Sequence, residues 1–378
     1  MEICGGKMKF RTDRANLHQA ASKLLSIVPP KSTLPILSNI LFELDKNKLS
    51  LKVTDLDVSM TATIDVDAQK SGAIAIPAKV FYEIVRELPD FDLEVSTFES
   101  RMEIKCGAGV YKMSGFPPDE FPKLPDVHVG RAVKIDGKIL SRMVRKVLFA
   151  VSRDETRPAL NGILWHTSEE GLNMVATDGH RLAKITRNDL KLTSAGKDII
   201  VPPKVLDNLV RLMGEEPGEV GIIVNEGSII FLLEGAILTS RLLEGPYPNY
   251  EQVIPKDNHK LAAMDKEILQ AAVRRVAILS NSLTHQVKFT IKPNELELLA
   301  TNFDFGGEAK ESLKIKYDAD AMDIGYNANY IVDILKQTDG NEVVFELNTP
   351  TSAAIVKAIQ KEENESYFFL VMPLRLLD

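Results

Sequence analysis

Three ionisable residues stand almost side by side in the stretch ATDGHRLA, residues 176–183: Asp178, His180 and Arg181. An acid beside an imidazole is the raw material of a general base and its orienting partner, as a hydrolase would use them. The stretch has counterparts elsewhere in the chain, however. "KVTDLDVSMTATI" around Asp55 and "LLATNFDFGGEAK" around Asn302 share its apolar lead into Thr-Asp or Thr-Asn, and Thr54, Thr177 and Thr301 recur at a nearly constant interval. At the position of His180 those copies carry Asp57 and Asp304. An acid that recurs where no histidine follows suits a turn whose side chain bonds the local backbone better than it suits a catalytic dyad. HExxH, GxSxG, P-loop and GxGxxG patterns are absent, and the six histidines are dispersed without metal-ligand spacing. The residues therefore predict no enzyme, no metal and no cofactor. A hydrolase using Asp178 and His180 is the weaker alternative.

The elements that would position these residues repeat as well. "IPAKVFYEIVRELPD", "VPPKVLDNLVRLMGE" and "YNANYIVDILKQTDG" align, with Lys79, Lys204 and Asn329 equally spaced. "DRANLHQAASKLLSIVPPKSTLPILSNI" aligns with "DGKILSRMVRKVLFAVSRDETRPALNGI" and more weakly with "DKEILQAAVRRVAILSNS", and "FPPDEFPKLP" matches "GPYPNYEQVIP". Several matches in one order predict three tandem copies of one domain, 1–129, 130–255 and 256–378, with "MEICGGK" (1–7) an extension outside the fold. Each copy reads as helix, strands, helix, strands. Leu17, Ala21, Leu24 and Val28 stripe the first helix, and Val80, Phe81, Ile84, Val85 and Leu88 the second. Short alternating strands such as "LSLKVTD" and "RMEIKC" lack the βαβ rhythm of a parallel sheet, so the fold class is α+β with antiparallel sheets.

Composition excludes several other classes. The 378 residues are 44% hydrophobic and 26% charged, ordinary for a soluble protein. No apolar run approaches the roughly eighteen residues that span a bilayer, and the N-terminus lacks a signal-peptide core, which points to the cytoplasm. Cys4 and Cys106 provide neither a disulfide framework nor a four-cysteine zinc site. A net charge of −7 argues against nucleic-acid binding by overall basicity and leaves only a localised patch. Such a patch can be read on the helices. Arg86, Arg211 and Lys336 are equivalent, as are Lys23, Lys146 and Arg275; Arg145 and Arg274 adjoin the latter, and Lys79 and Lys204 lie two turns before Arg86 and Arg211. Solvated helix faces explain any one of them. As a set arranged about an axis, they would line a hole and hold the phosphates of a duplex without reading its bases.

With these motifs in hand, the chain resembles the β subunit of bacterial DNA polymerase III, the sliding clamp, from Met8 to the C-terminus. The stretches that carry the resemblance are "TLPILSNI", "FPPDEFPKLP", "ETRPALNGI", "ATDGHRLA", "YPNYEQVIP" and "FFLVMPLRLLD". The resemblance implies a head-to-tail homodimer, a ring of six similar domains with helices lining the hole and sheets outside. It implies a non-enzymatic processivity factor whose partners are duplex DNA, held independently of sequence, the replicative and other polymerases, an ATP-driven clamp loader and repair proteins, and no membrane. Matched residue by residue, a peptide-binding groove would comprise Leu160, Thr177, Gly179, His180, Arg181, Leu182, Pro248, Val253, Val371, Met372, Pro373, Leu374, Arg375 and Leu376. Core packing is the other reading for Leu160, Leu182 and Val371, and backbone shape for Gly179. Lys31 and Arg157 would be loop residues facing DNA, with Pro158 and Ala159 where some members carry aromatics. Gln252 stands where an arginine often lies, and Leu377-Asp378 run beyond the usual terminal Arg-Leu. Tyr111 would meet Ile278 and Leu279 across the subunit boundary. A repeat-built interaction scaffold that never encircles DNA is the competing class.

Overall fold

The computed structural model describes residues 7–125, 132–192, 198–302, 306–360 and 362–376. Most of the expected extension 1–7, Cys4, the expected boundary near residue 130, Asp304 and Leu377-Asp378 lie outside the described residues.

Among the described residues there are six α-helices: α1 (Arg14–Leu24), α2 (Ala78–Glu87), α3 (Gly137–Leu148), α4 (Pro203–Met213), α5 (Lys266–Ala277) and α6 (Ala328–Gln337). They fall two to a copy. The first helix of every copy begins at an aspartate that accepts from its first turn: Asp13 from Asn16 N, Asp136 from Lys138 N and Asp265 from Ile268 N, at 2.7, 2.7 and 2.8 Å. These bonds satisfy N–H groups that a helix start leaves bare. Leu17, Ala21 and Leu24 of α1 and Phe81 and Val85 of α2 are buried as their spacing predicts. Val80, expected in the same stripe, is exposed: Phe81 and Val85, one turn apart, set the buried face, and Val80 lies about 100° round from Phe81.

Among the described residues all strand pairs are antiparallel, and the chain forms two compact units, Met1–Leu140 with Lys204–Leu242, and Ser141–Pro203 with Leu243–Asp378. The first unit holds a five-stranded sheet ordered Asp67–Lys70, Lys9–Asp13, Asp92–Phe98, Arg101–Cys106, Gly109–Ser114. Its eight-stranded sheet runs Val133–Asp136, Glu219–Asn225, Ser228–Leu233, Ala236–Arg241, Val58–Asp65, Lys48–Thr54, Asn39–Asp45, Gly72–Pro77. The second unit holds an eight-stranded sheet ordered Ile199–Val201, Ile163–Ser168, Gly171–Thr177, Arg181–Arg187, Glu365–Val371, Ala354–Ala358, Glu342–Leu347, Lys260–Asp265. Its four-stranded sheet is ordered Gly307–Lys314, Glu295–Asn302, Gln286–Lys292, Met322–Asn327. Each eight-stranded sheet crosses from one sequence copy into the next, through Ala236–Arg241 on Val58–Asp65 and Glu365–Val371 on Arg181–Arg187. Ladder hydrogen bonds across those joins bind two copies together, which is why the compact units do not follow the repeat.

The repeat holds residue by residue. Isolated bridges Ala75–Phe116, Ile200–Leu243 and Gly325–Leu374 are one contact made three times. Counting back from them makes Lys112, Thr239 and Leu370 equivalent. On the facing strand, the pairs Thr54–Ser59, Thr177–Leu182 and Thr301–Glu308 make Ser59, Leu182 and Glu308 equivalent.

Candidate functional site

The Asp178 turn is a backbone device. Thr177 Oγ1 donates to the Arg181 carbonyl at 2.7 Å and accepts from Gly179 N at 3.1 Å, while Asp178 Oδ1 accepts from His180 N and Arg181 N, both at 2.9 Å. The first copy does the same: Thr54 Oγ1 donates to Val58 O and accepts from Leu56 N, and Asp55 Oδ1 accepts from Asp57 N and Val58 N. The Asp178 carboxylate is further held by Arg181 Nε at 3.1 Å. The exposed His180 ring instead lies parallel to Tyr330, centroids 6.3 Å apart. Acid and imidazole therefore serve different partners, as the recurrence of the acid without the histidine predicts. Gly179 sits at φ +89°, a conformation that favours glycine.

This turn forms one end of an apolar surface. In the second unit, buried Leu164, Val175, Leu182, Ile200, Tyr250 and Leu370 cluster, with half-buried Tyr247, Phe368, Leu243 and Ile254 packed against them. Beside the cluster in sequence, Val253 is 53% and Met372 39% exposed, and Pro248 is exposed. Burial pushes the Tyr250 hydroxyl up to about 12, so it stays neutral, and the Lys184 ammonium lies 5.6 Å from that ring's centroid. The C-terminal segment is tied down by its backbone: Met372 N donates to His180 O at 2.8 Å and Leu374 N to Gly325 O at 2.7 Å. Pro373, Leu374 and Leu376 are half-buried and Arg375 is exposed, as is Gln252.

Several sequence expectations change here. Val371 is not a wall of this surface. Side chains alternate along Glu365–Val371, so Phe368 and Leu370 join the cluster, whereas Phe369 turns to the other face and packs edge-on against Phe149; Val371, buried, shares that face. Leu370 was the residue to name, and period-2 alternation in "FFLVMP" was the signal. Tyr247, Tyr250 and Phe368 were also missed, because aromatic residues that bury their rings look like core in sequence. Leu182 is fully buried within the cluster, and Leu160 is buried outside it. The Arg181 guanidinium is no free rim donor: it bonds Asp333 at 2.9 Å and Phe149 O at 2.8 Å and covers the Phe149 and Tyr330 rings. Arg157, expected on a loop facing DNA, is held by Asp154 and donates to Asp178 O at 3.1 Å, which makes it a neighbour of the turn.

The basic residues of the helices divide by environment. Lys146 is a correction: its side chain is only 6% exposed, bonded to Asp339 at 2.8 Å and to Gln337 O, and placed over the Tyr367 ring. Burial lowers its pKa, and it cannot be a phosphate contact in this arrangement. Arg142 completes that cluster, bonding Asp339 at 2.6 Å and the buried Glu365 at 2.7 Å. Burial disfavours the Asp339 carboxylate, but its bonds to Arg142 and Lys146 win and hold its pKa at about 2. Lys31, Lys79, Arg86, Arg145, Lys204, Arg211, Arg274, Arg275 and Lys336 are exposed and Lys23 half-buried. Arg86 pairs with Glu87, Lys204 with Asp55, Arg211 with Asp207, Arg275 with Glu311 and Lys336 with Asp333. Every helix carries at least one of these bases in its last turn, where the macrodipole favours a cation whatever lies beyond. Tyr111 is 38% and Ile278 76% exposed, and Leu279 half-buried.

The chain has close relatives of known structure. Residues 8–125 match the N-terminal domain of the DNA polymerase III beta subunit, 134–249 its central domain and 251–375 its C-terminal domain. The beta sliding clamp of Caulobacter vibrioides is 34% identical over 380 residues, covering 98% of this chain and 100% of that protein. That of Pseudomonas aeruginosa is 32% identical over 372 residues, again covering 98% and 100%. The crystal structure of the Bartonella birtlesii sliding clamp, DNA polymerase III subunit beta, bound to griselimycin, superposes with a TM-score of 0.93 at 32% identity, covering 98% of this chain and 100% of that one.

Proposed function

Since this chain belongs to the family of bacterial DNA polymerase III beta subunits and functions as a DNA sliding clamp, we propose that two copies close head to tail around duplex DNA. The observation that carries the reading is the sheet join. The last strand of one copy pairs with the strand after the Thr-Asp turn of the preceding copy, twice within the chain. The third such pair would be Gly109–Ser114 with Gly307–Lys314, and each of these lies at the edge of its sheet. A second chain supplies the partner, and equivalence sets Lys112 opposite Glu308, an attractive cross-strand pair. The same equivalence matches Ile278 and Tyr111 to Phe149 and Phe369, which pack at 5.5 Å in the second unit. Covering the exposed Ile278 and Tyr111 in this way removes apolar surface from water.

In this reading the domains divide near residues 130 and 256, and Lys23, Lys31, Lys79, Arg86, Arg145, Lys204, Arg211, Arg274, Arg275 and Lys336 face the duplex, without Lys146. Several of these bases are already paired with acids, which suits a sliding contact: phosphate attraction is weak, sequence-independent and salt-sensitive. The protein is a non-enzymatic tether in the cytoplasm. The apolar surface around Leu182 and Leu370, opened by Val253 and Met372, takes short hydrophobic segments of polymerases, of the ATP-driven loader and of repair proteins, with His180 and Arg157 at its rim. No helix among the described residues is long and apolar enough to cross a membrane.

The test is loading onto a nicked circular DNA with the cognate loader and ATP, followed by linearisation. Retention on circles and loss from cut ends is expected. Retention after cutting would mean direct gripping and would sink the ring, in favour of a scaffold that binds DNA without encircling it. In parallel, Met372→Ala and Val253→Ala together should weaken binding of a polymerase-derived peptide about tenfold or more without opening the ring. Unchanged affinity would remove the groove assignment.

A further inference from the structure

In the first unit, a cavity of about 580 Å³ lies where α1 meets the second copy. Asn16 and Gln19 of α1 line one side, and Glu216, Gly218 and Glu234 the other. Gly218 immediately precedes the strand Glu219–Asn225, and Glu234 lies in the turn that joins Ser228–Leu233 to Ala236–Arg241. The repeat allows each lining position to be traced to the place where two chains would meet. Asn16 is the first-turn residue whose N–H the Asp13 cap accepts, and its counterpart under the Asp265 cap is Ile268. Gly218 stands directly before its strand, and its counterpart before the strand Asp92–Phe98 is Phe91. Glu234 corresponds to Gly107 by the count that equates Thr239 with Lys112.

These replacements are coordinated. Polar Asn16 becomes apolar Ile268, 56% exposed; Gly218, with no side chain, becomes Phe91, 60% exposed; and Glu234 loses its carboxylate to Gly107. The Phe91 ring already occupies the vacated place, since a side chain at Gly107 would start 3.8 Å from it. Two large apolar side chains left exposed at positions whose equivalents line opposite walls of one cavity imply a common cover.

We propose that Phe91 of one chain fills the third copy of this cavity against Ile268 of a second chain, giving the subunit boundary an apolar contact separate from Tyr111 and Ile278. The inference rests on the head-to-tail pairing proposed above and names a further contact within it. Continuity with the sheet join selects a second copy as the occupant: the pairing that sets Lys112 opposite Glu308 brings the Gly107 turn beside the start of α5, as Glu234 lies beside the start of α1.

The test is the monomer–dimer equilibrium of the full chain, followed by sedimentation and by dilution of fluorescently labelled subunits. Phe91→Ser and Ile268→Ser should each raise the dissociation constant on the order of tenfold. The double variant should be little worse than either single one, because each residue loses its cover when the other goes. Phe91→Glu with Ile268→Lys should recover part of the loss. Both residues are exposed in the single chain, so unchanged thermal unfolding of a monomeric dilution confirms that the fold is intact. If both single variants dimerise like the parent while Tyr111→Ser weakens the dimer, the boundary exists and the Phe91 contact does not. If the parent never dimerises, the head-to-tail reading fails, and this contact with it.

Discussion

The two sheet joins within the chain use the same strands of the repeat and different side chains. Where Arg181–Arg187 meets Glu365–Val371, Leu182 lies opposite Leu370 and both are buried in an apolar cluster. Where Val58–Asp65 meets Ala236–Arg241, Ser59 lies opposite Thr239, and Ser59 Oγ bonds Thr54 Oγ1 at 2.8 Å. Val175 in the apolar join is replaced by Lys52, which pairs with Glu43 in the polar one. The backbone thus offers the same site twice, and side-chain chemistry makes a hydrophobic surface of only one. The other ends of the joins differ too. Arg142, Asp339, Glu365 and Lys146 lock one, whereas at the equivalent positions of the other Gln19, Gly214 and Glu234 keep only one acid, Lys23 retains its base, and an open cavity lies nearby.

A buried charge is the sharpest way to separate the joins. Leu182→Glu places a carboxylate among Leu164, Tyr250 and Leu370 without a partner, and should cost about 3–5 kcal/mol in denaturant unfolding of the full chain. Ser59→Glu, at the equivalent but polar and half-buried position, should stay within about 1 kcal/mol. Equal costs would mean that the surroundings do not differ as their composition indicates.

The ionic lock gives the next largest contrast. Arg142→Ala leaves Glu365, whose side chain is 1% exposed, with only the Arg187 guanidinium at 3.8 Å, and should cost about 3 kcal/mol; Gln19→Ala, at the exposed counterpart, should change stability by less than about 0.5 kcal/mol. The Asp339 part of the lock carries a pH signature. Its folded pKa, about 2, lies below the ordinary 3.8, so its stabilisation is complete above 3.8 and fades as pH falls through 2. The stability difference between the parent and Asp339→Asn should shrink over that window. A difference constant from pH 5 to 2 would show that the carboxylate's charge is not what stabilises the cluster.

The comparison also shows what could be read from the residues alone. The repeat, the helix-and-strand order of each copy and the role of Asp178 were legible, because the helical segments and the Thr-Asp or Thr-Asn turn are local patterns that recur in all three copies, with the acid itself in two. The polar or apolar character of the joins was legible only in part. Leu182 could be matched to a groove, but Val371 was expected there where Leu370, the strand partner of Leu182, joins the cluster, because strand register depends on pairing across nearly half the chain. Lys146 was misread for a related reason: its equivalence with Lys23 and Arg275 is real, yet Asp339 and Tyr367, which bury it, lie far away in sequence. The free edges of Gly109–Ser114 and Gly307–Lys314 carry no sequence mark, since an edge is defined by what fails to pair.

The smallest effect concerns the turn that both joins share. Gly179 and Leu56 occupy the same place in it, at φ +89° and +82°. For a leucine that conformation costs about 1–2 kcal/mol of steric strain, whereas glycine meets it freely and pays only in unfolded-state entropy, about 0.5–1 kcal/mol. Leu56 is 46% exposed, so its removal forfeits little burial. Leu56→Gly should therefore stabilise the first unit by about 0.5–1 kcal/mol. The mirror change, Gly179→Ala, should destabilise by about 1 kcal/mol, and its Cβ would meet Arg157 Nη1 at 2.8 Å, pushing that side chain off the turn. Opposite signs would tie both turns to one backbone requirement. If Leu56→Gly destabilises instead, the leucine makes contacts in the polar join that outweigh its strain, and the two turns are alike in hydrogen bonding only.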